Sequence, residues 1–314
     1  MNSLPVLRID EIPEQDPAPQ WLVEDLWSAQ AVGLIGGAPK SAKTWMALDL
    51  ALSVASHTPC LGRYRVLQPG PVLVYLAEDP ADMVRRRVQA MAGQRHLPLA
   101  GLELHVITVP RLRLDDAQDR ARLFETVRRI RPRLLLLDPL VRMHRMNEND
   151  AVEMAELLGG LRELQKRFQA AVAVVHHTRK SGAAPGQAGQ ALRGSGDIWA
   201  WADSSLYLRR CREHLVLTME HRAAAAPEPV ALDLVNGDPG RLHLQVLDRP
   251  PTARHDEALK QRILDALADT PIASRTQLRA RLQVKNERLG RALERLREQG
   301  RLLHAAAGWR LSPP

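Results

Sequence analysis

The sequence predicts an α/β protein with a mostly parallel central sheet, followed by a smaller basic domain. Three observations carry this reading. Short apolar runs recur through the first 250 residues with helix-like segments between them, as expected for strands buried on both faces. A turn rich in small residues, GGAPKSAKTW (36–45), joins the first of these runs to an apolar helix. Residues 251–314 hold 13 Lys plus Arg against 7 Asp plus Glu, most of the formal net charge of +8.

The chain begins MNSLPVLRIDEIPEQDP, with acidic residues and prolines where a secretory leader needs an apolar stretch. Residues 1–27 are read as an N-terminal arm. AVGLIG (31–36) is the first strand, and TWMALDLALSVAS (44–56) has the composition of a buried helix. PVLVYLAED (71–79), RLLLLDPL (133–140) and AAVAVVHH (170–177) are three further strands. KSGAAPGQAGQALRG (180–194) lacks any core-forming period and is read as a mobile loop. SSLYLRR, HLVLTMEHR and VALDLVN then suggest strands, the later ones joined by short turns in an antiparallel extension. LDRPPTARHD (247–256) has the proline and charge content of a linker, giving domains of 28–246 and 257–314.

Composition narrows the function classes. With 45% apolar and 25% charged residues, the chain is an ordinary globular protein rather than a disordered or fibrous one. No apolar run is long enough to span a bilayer, so no membrane is expected as a partner and the cytoplasm is the expected compartment. Cys60 and Cys211 stand far apart and form no metal-ligand cluster; both are read as reduced structural thiols. A basic module on a near-neutral body points to a polyanionic partner, DNA first among them.

The loop carries the chemistry. Phosphate-binding loops follow Gly-x-x-x-x-Gly-Lys-[Ser/Thr], because backbone N–H groups at a helix start surround the phosphates. The lysine and hydroxyl then address the β/γ-phosphates and Mg²⁺. Gly37, Lys43 and Thr44 fit, and Ala42 replaces the second glycine, so Gly37, Ala38, Pro39, Lys40, Ser41, Ala42, Lys43, Thr44 and Trp45 form the candidate nucleotide loop. At negative φ the methyl of Ala42 is harmless; at positive φ it costs on the order of 1 kcal/mol or more. The sequence leaves both open. Asp138 ends a buried strand, as a carboxylate on the Mg²⁺ side would. Glu78 and Asp79 end another, where a carboxylate can orient or deprotonate water, although an acidic pair before Pro80 also suits a helix start. His176 and His177 end a fourth, one pointing into the fold and the other toward the phosphate edge. Open α/β sheets bind ligands beyond the carboxyl ends of their strands, so these tips form one candidate site.

The series GGAPKSAKTW, VYLAEDP, LLLLDPLVRMH, VVHHTRK and LRGSGDIWAWADSSLYLRR, with the lead-in WLVEDLW, resembles RecA-like P-loop ATPases of the AAA type over about residues 20–245. The plasmid RepA-type hexameric helicases are especially similar. The resemblance implies ATP and Mg²⁺ as cofactors, Lys43 as phosphate lysine, Thr44 and Asp138 on the metal, Glu78 as catalytic base and His177 as γ-phosphate sensor. It further implies an arginine finger from Arg209 or Arg210 inserted into a neighbouring subunit of a homo-oligomer, most simply a hexamer. DNA would contact Arg179, Lys180 and Arg193 in the loop after His177.

Residues 257–314 read as three helices and a hairpin, a winged-helix-like unit. Ser274 caps the second helix, and the third, KNERLGRALERLREQG, presents Lys285, Arg288 and Arg291 for DNA while Leu289, Leu293 and Leu296 face the core. The expected activity is ATP hydrolysis coupled to DNA binding, translocation or unwinding. A slowly hydrolysing, nucleotide-switched regulator or loader is the alternative. A small-molecule P-loop kinase would need a lid and an acceptor pocket, and the sequence offers a basic domain instead.

Overall fold

The computed structural model describes residues 4, 6–12, 20–177, 196–211, 214–236, 242–248, 251–269, 273–305 and 308–312. The chain divides into two compact units, residues 1–247 and 248–314.

In the first unit the four apolar runs become β3 (Val32–Gly37), β4 (Val72–Leu76), β6 (Leu134–Asp138) and β7 (Ala171–His177), preceded by a short hairpin of β1 (Trp21–Val23) and β2 (Trp27–Ser28). Helices α1 (Lys43–Ser56), α2 (Ala81–Gln94), α3 (Ala117–Ile130) and α4 (Ala151–Phe168) connect the strands, with β5 (Leu104–Val106) between α2 and α3. A short α5 (Gly196–Trp201) leads into β8 (Ser204–Arg210), β9 (Leu215–His221), β10 (Val230–Asn236) and β11 (Leu242–Val246). The sheet order among the described residues is β11-β10-β9-β8-β3-β7-β6-β4-β5. Strands from β8 to β5 run parallel, and β9 to β11 extend the sheet antiparallel.

Both faces of this sheet are covered. Leu134 and Leu136 of β6 pack on the α1 and α2 side, and Leu135 and Leu137 on the α3 and α4 side. This alternation between two cores is why the strand reads as an uninterrupted apolar run. Asp116 and Asp150 cap α3 and α4 by accepting from the first free backbone N–H groups.

The arm ends earlier than the sequence suggests. Leu22, Val23, Leu26 and Trp27 are buried in the α1-side core, so the 21–28 hairpin belongs to the first unit. Trp27 lies beside Gly33, where any Cβ would strike the backbone carbonyl of Ser204 on β8. A glycine at 33 therefore lets β3 and β8 pair beneath the indole.

One charged network is buried in the same layer. Asp49 of α1 pairs with Arg95 at 2.6 Å and accepts bonds from Cys60 Sγ and the Leu61 N–H, while Arg95 also donates to Ser53 and Thr58. A buried carboxylate is tolerable only when partnered in this way, and the network ties α1 to the end of α2. Burial pushes the Cys60 thiol up, consistent with a structural thiol, and both cysteines are free.

The second unit contains α6 (Pro251–Asp269), α7 (Arg275–Leu282), α8 (Asn286–Glu298) and a hairpin of β12 (Leu302–Ala305) and β13 (Gly308–Leu311). Its core joins Leu259, Ile263, Leu278, Leu293, Leu302 and Trp309. Ser274 caps α7 through a reciprocal bond with Gln277, as expected. The stretch read as a linker is half helical, because α6 starts at Pro251 and proline needs no N–H partner in a first turn. Among the described residues, no helix is long and apolar enough to cross a membrane.

Candidate nucleotide site at the carboxyl ends of the parallel strands

β3 delivers the chain into the candidate loop at Gly37, where an added Cβ would lie 2.5 Å from both the Leu208 carbonyl oxygen and Ser41 Oγ. No side chain fits there. The loop ends at Ala42, which caps α1 with φ 65° and ψ 24° and accepts a bond from the Met46 N–H. Of the two conformations open to Ala42, the chain takes the strained one, and Lys40 is also left-handed at φ 63°. The geometry of a glycine is thus kept by an alanine, at about 1–2 kcal/mol.

Lys43 starts α1 and is buried, its Nζ donating to the Ala38 carbonyl at 2.8 Å across the loop. Burial lowers its pKa to about 8, against the opposing pull of Asp138 and Glu78. Thr44 Oγ1 donates to Asp138 Oδ2 at 2.7 Å. Burial raises Asp138 to about 6; the Thr44 bond and Lys43 oppose this, while Asp79 and Glu78 add to it. Because β4, β6, β7 and β3 are neighbours, their tips place Glu78, Asp138, His177 and Lys43 around one cavity of about 320 Å³. His176, by contrast, is buried on the other face of β7, so the alternation along the strand separates the two histidines.

The two acidic residues after β4 have different partners. Asp79 pairs with Arg87 of α2, whose guanidinium lies 5.6 Å from the centre of the Trp45 ring. Glu78 accepts from Arg142 Nε at 2.7 Å, in a pair largely open to solvent. Arg87, Trp45 and Leu234 of β10 complete the cavity's outer wall. Neither Arg87 nor Leu234 was singled out from the sequence. For Arg87 the available signal was its place beside Val84 and Val88, which bury the inner face of α2.

The two arginines ending β8 also separate. Arg210 lines this cavity and its Nη2 reaches the Lys40 carbonyl at 3.3 Å, whereas Arg209 is exposed and does not line it. The reason is parity: β8 pairs parallel with β3, and Arg210 shares the α1 face with Leu208. Arg210 therefore attends the loop of its own chain, contrary to a role for it in a neighbour's site.

Arg179, Lys180 and Arg193 lie outside the described residues. Lys285 is exposed and caps α8, Arg288 is half-buried and Arg291 exposed, and Leu289, Leu293 and Leu296 are buried as expected.

The donors present fit a divalent cation. A hydroxyl and a buried carboxylate are already joined, with two more carboxylates near enough to raise the proton affinity of the first. A hard cation held by Thr44 and Asp138 would offset that crowding.

A family model described as AAA domain matches residues 2–183, more than half of the chain, including the loop, Glu78, Asp138 and His177. The chain belongs to this AAA domain family. The solved ATPase domain of a helicase superposes on this AAA domain protein with a TM-score of 0.52 at 14% identity, covering 69% of this chain and 86% of the other. A structure titled "Crystal structure of the RadB recombinase" gives 0.49 at 14% identity, covering 70% and 92%. The core is a RecA-like P-loop ATPase fold. In this AAA domain protein, β8 to β11 and the basic unit lie beyond the family match.

Proposed function

We propose that the protein is an Mg²⁺-dependent ATPase that acts on DNA as an oligomer. The observation that carries this reading is the convergence of Lys43, Thr44 and Asp138, joined by the 2.7 Å Thr44–Asp138 bond, beside the Glu78 strand tip. The loop N–H groups and Lys43 would hold the β/γ-phosphates, and Thr44 and Asp138 the cation. The cation supplies neutralising charge and orientation when bound. Glu78 would take a proton from water as its oxygen bonds to the γ-phosphorus. The bridging bond to the β-phosphate breaks, leaving ADP and inorganic phosphate. Trp45 and Arg87 offer flat faces on the side where a base would lie.

His177, next to the cavity, would report the γ-phosphate to the segment that follows it, with Arg179, Lys180 and Arg193 as phosphate contacts on single-stranded DNA. Arg209 would serve a neighbouring site in a ring, most simply hexameric, in which translocation or unwinding follows from the cycle. The three helices and hairpin of the second unit would act as a winged helix on duplex DNA through Lys285, Arg288 and Arg291. A nucleotide-switched loader or regulator is the second reading, favoured by the strain at Ala42 and by the pairing of Glu78 with Arg142.

Steady-state hydrolysis with and without single-stranded DNA tests the assignment. Glu78→Gln should bind nucleotide and lose turnover. Turnover lost in Asp79→Asn but kept in Glu78→Gln would move the base to the neighbouring carboxylate.

A further inference from the structure

The cavity holds one contact that the reaction does not use. Arg142, 64 residues from Glu78 in sequence, donates its Nε to Glu78 Oε1 at 2.7 Å from outside the cavity wall. That turns a lone pair of the carboxylate toward a guanidinium rather than toward water.

The base of Arg142 is fixed. It ends a single helical turn, Leu140–Arg142, directly after the strand that carries Asp138, and Leu140, Met143 and His144 around it are buried. The following segment is stitched to residues 113–115. The Leu114 N–H donates to the Met143 carbonyl at 2.6 Å, Arg113 to the His144 carbonyl at 2.8 Å, and the Arg145 N–H to Asp115 at 3.1 Å. The result is a firm ledge from which Arg111, Arg142 and Arg145 reach solvent. Arg145 leans on Asp115, and Arg142 on Glu78.

The Arg142–Glu78 pair is 63% and 51% exposed on its two sides. Ion pairs this open shift equilibria by no more than about fivefold, and a phosphate diester chain crossing several arginines competes with them easily. Phosphate oxygens also match the guanidinium fork better than a carboxylate reached through Nε alone.

We propose that Arg142 is a positioning residue for Glu78, holding the carboxylate off the attacking water until nucleic-acid phosphates on the ledge take the guanidinium away. Nucleic acid would then stimulate hydrolysis without touching the nucleotide. This rests on Glu78 being the base.

The test is ATP hydrolysis by the full chain, with Mg²⁺, with and without single-stranded DNA, for the wild type, Arg142→Ala, Arg142→Lys and Glu78→Gln. Arg142→Ala should raise the DNA-free rate about two- to fivefold and shrink the stimulation by DNA by the same factor, with an unchanged thermal midpoint. Arg142→Lys should fall between. A merely structural role for Arg142 would lower both rates together. Turnover kept in Glu78→Gln overturns the assignment of the base and the inference with it. Turnover lost there, with a DNA-free rate in Arg142→Ala no higher than wild type or a wild-type rate indifferent to DNA, overturns the inference alone.

Discussion

Replacing Asp138 by Asn should stabilise the protein while abolishing its activity. Burial holds this carboxyl at about 6 rather than the ordinary 3.8, so its folded pKa lies above its unfolded one. Folding therefore favours the protonated form: the associated stability is fully present below 3.8 and is lost as pH rises through about 6. A shift of about two units, at 1.36 kcal/mol each, sets a ceiling of about 3 kcal/mol on the cost of keeping Asp138 ionised at neutral pH. Asn still accepts from Thr44 but withdraws a charge that supports Lys43, and this returns part of the gain. A net gain of about 1–2 kcal/mol should remain, or about 2–8 °C in thermal midpoint for a unit of this size. Thermal unfolding at pH 7.5 and pH 5, in chelator and without nucleotide, reads it directly. The gain should be present at pH 7.5 and small at pH 5, where the wild-type carboxyl is largely protonated. A variant no more stable than wild type at pH 7.5, or equally stabilised at both values, would refute the reasoning.

Further outcomes follow from the same geometry. Gly37→Ala should cost more than about 2 kcal/mol or prevent folding, since the new methyl meets the Leu208 carbonyl, as thermal unfolding would show. Ala42→Gly should change stability by less than about 1 kcal/mol, because relief of left-handed strain is offset by unfolded-state entropy and a lost methyl contact. The apparent affinity of the nucleotide-free protein for Mg²⁺ and ATP, followed as kcat/KM, should decline below about pH 6 as Asp138 takes a proton and above about pH 8 as Lys43 loses one. Joint replacement of Lys285, Arg288 and Arg291 by Ala should weaken duplex DNA binding and flatten its salt dependence by roughly one unit of log–log slope per lost phosphate contact. Binding to single strands should survive that change.

The strands at the centre of the sheet were legible because burial on both faces leaves an uninterrupted apolar run, as in LLLLD. Edge strands were not. β5 and β11 are only partly covered, and their short mixed sequences LHV and LHLQV carry no such signal. The 21–28 hairpin was taken for an arm because its contact with Gly33 and Ser204 depends on residues far along the chain. Within the site, residue types at strand tips indicated Lys43, Thr44, Glu78, Asp138 and His177. The φ angle of Ala42 was not written in the residue, because it is set by how β3 and α1 are held. The Arg142–Glu78 and Arg87–Asp79 pairs likewise arise from packing between elements rather than from local spacing. Strand parity separated Arg210 from Arg209 only once the pairing of β8 with β3 was known.

The central claim is that the 37–45 loop works as a phosphate site although an alanine holds the place of its second glycine. It is tested most directly by Mg²⁺-dependent ATP turnover of the full chain beside Lys43→Ala. The wild type should hydrolyse ATP, chelator should stop it, and Lys43→Ala should leave none, because Lys43 is the cation buried within the loop. Turnover retained in Lys43→Ala, or a wild type that neither binds nor hydrolyses ATP, would contradict the account.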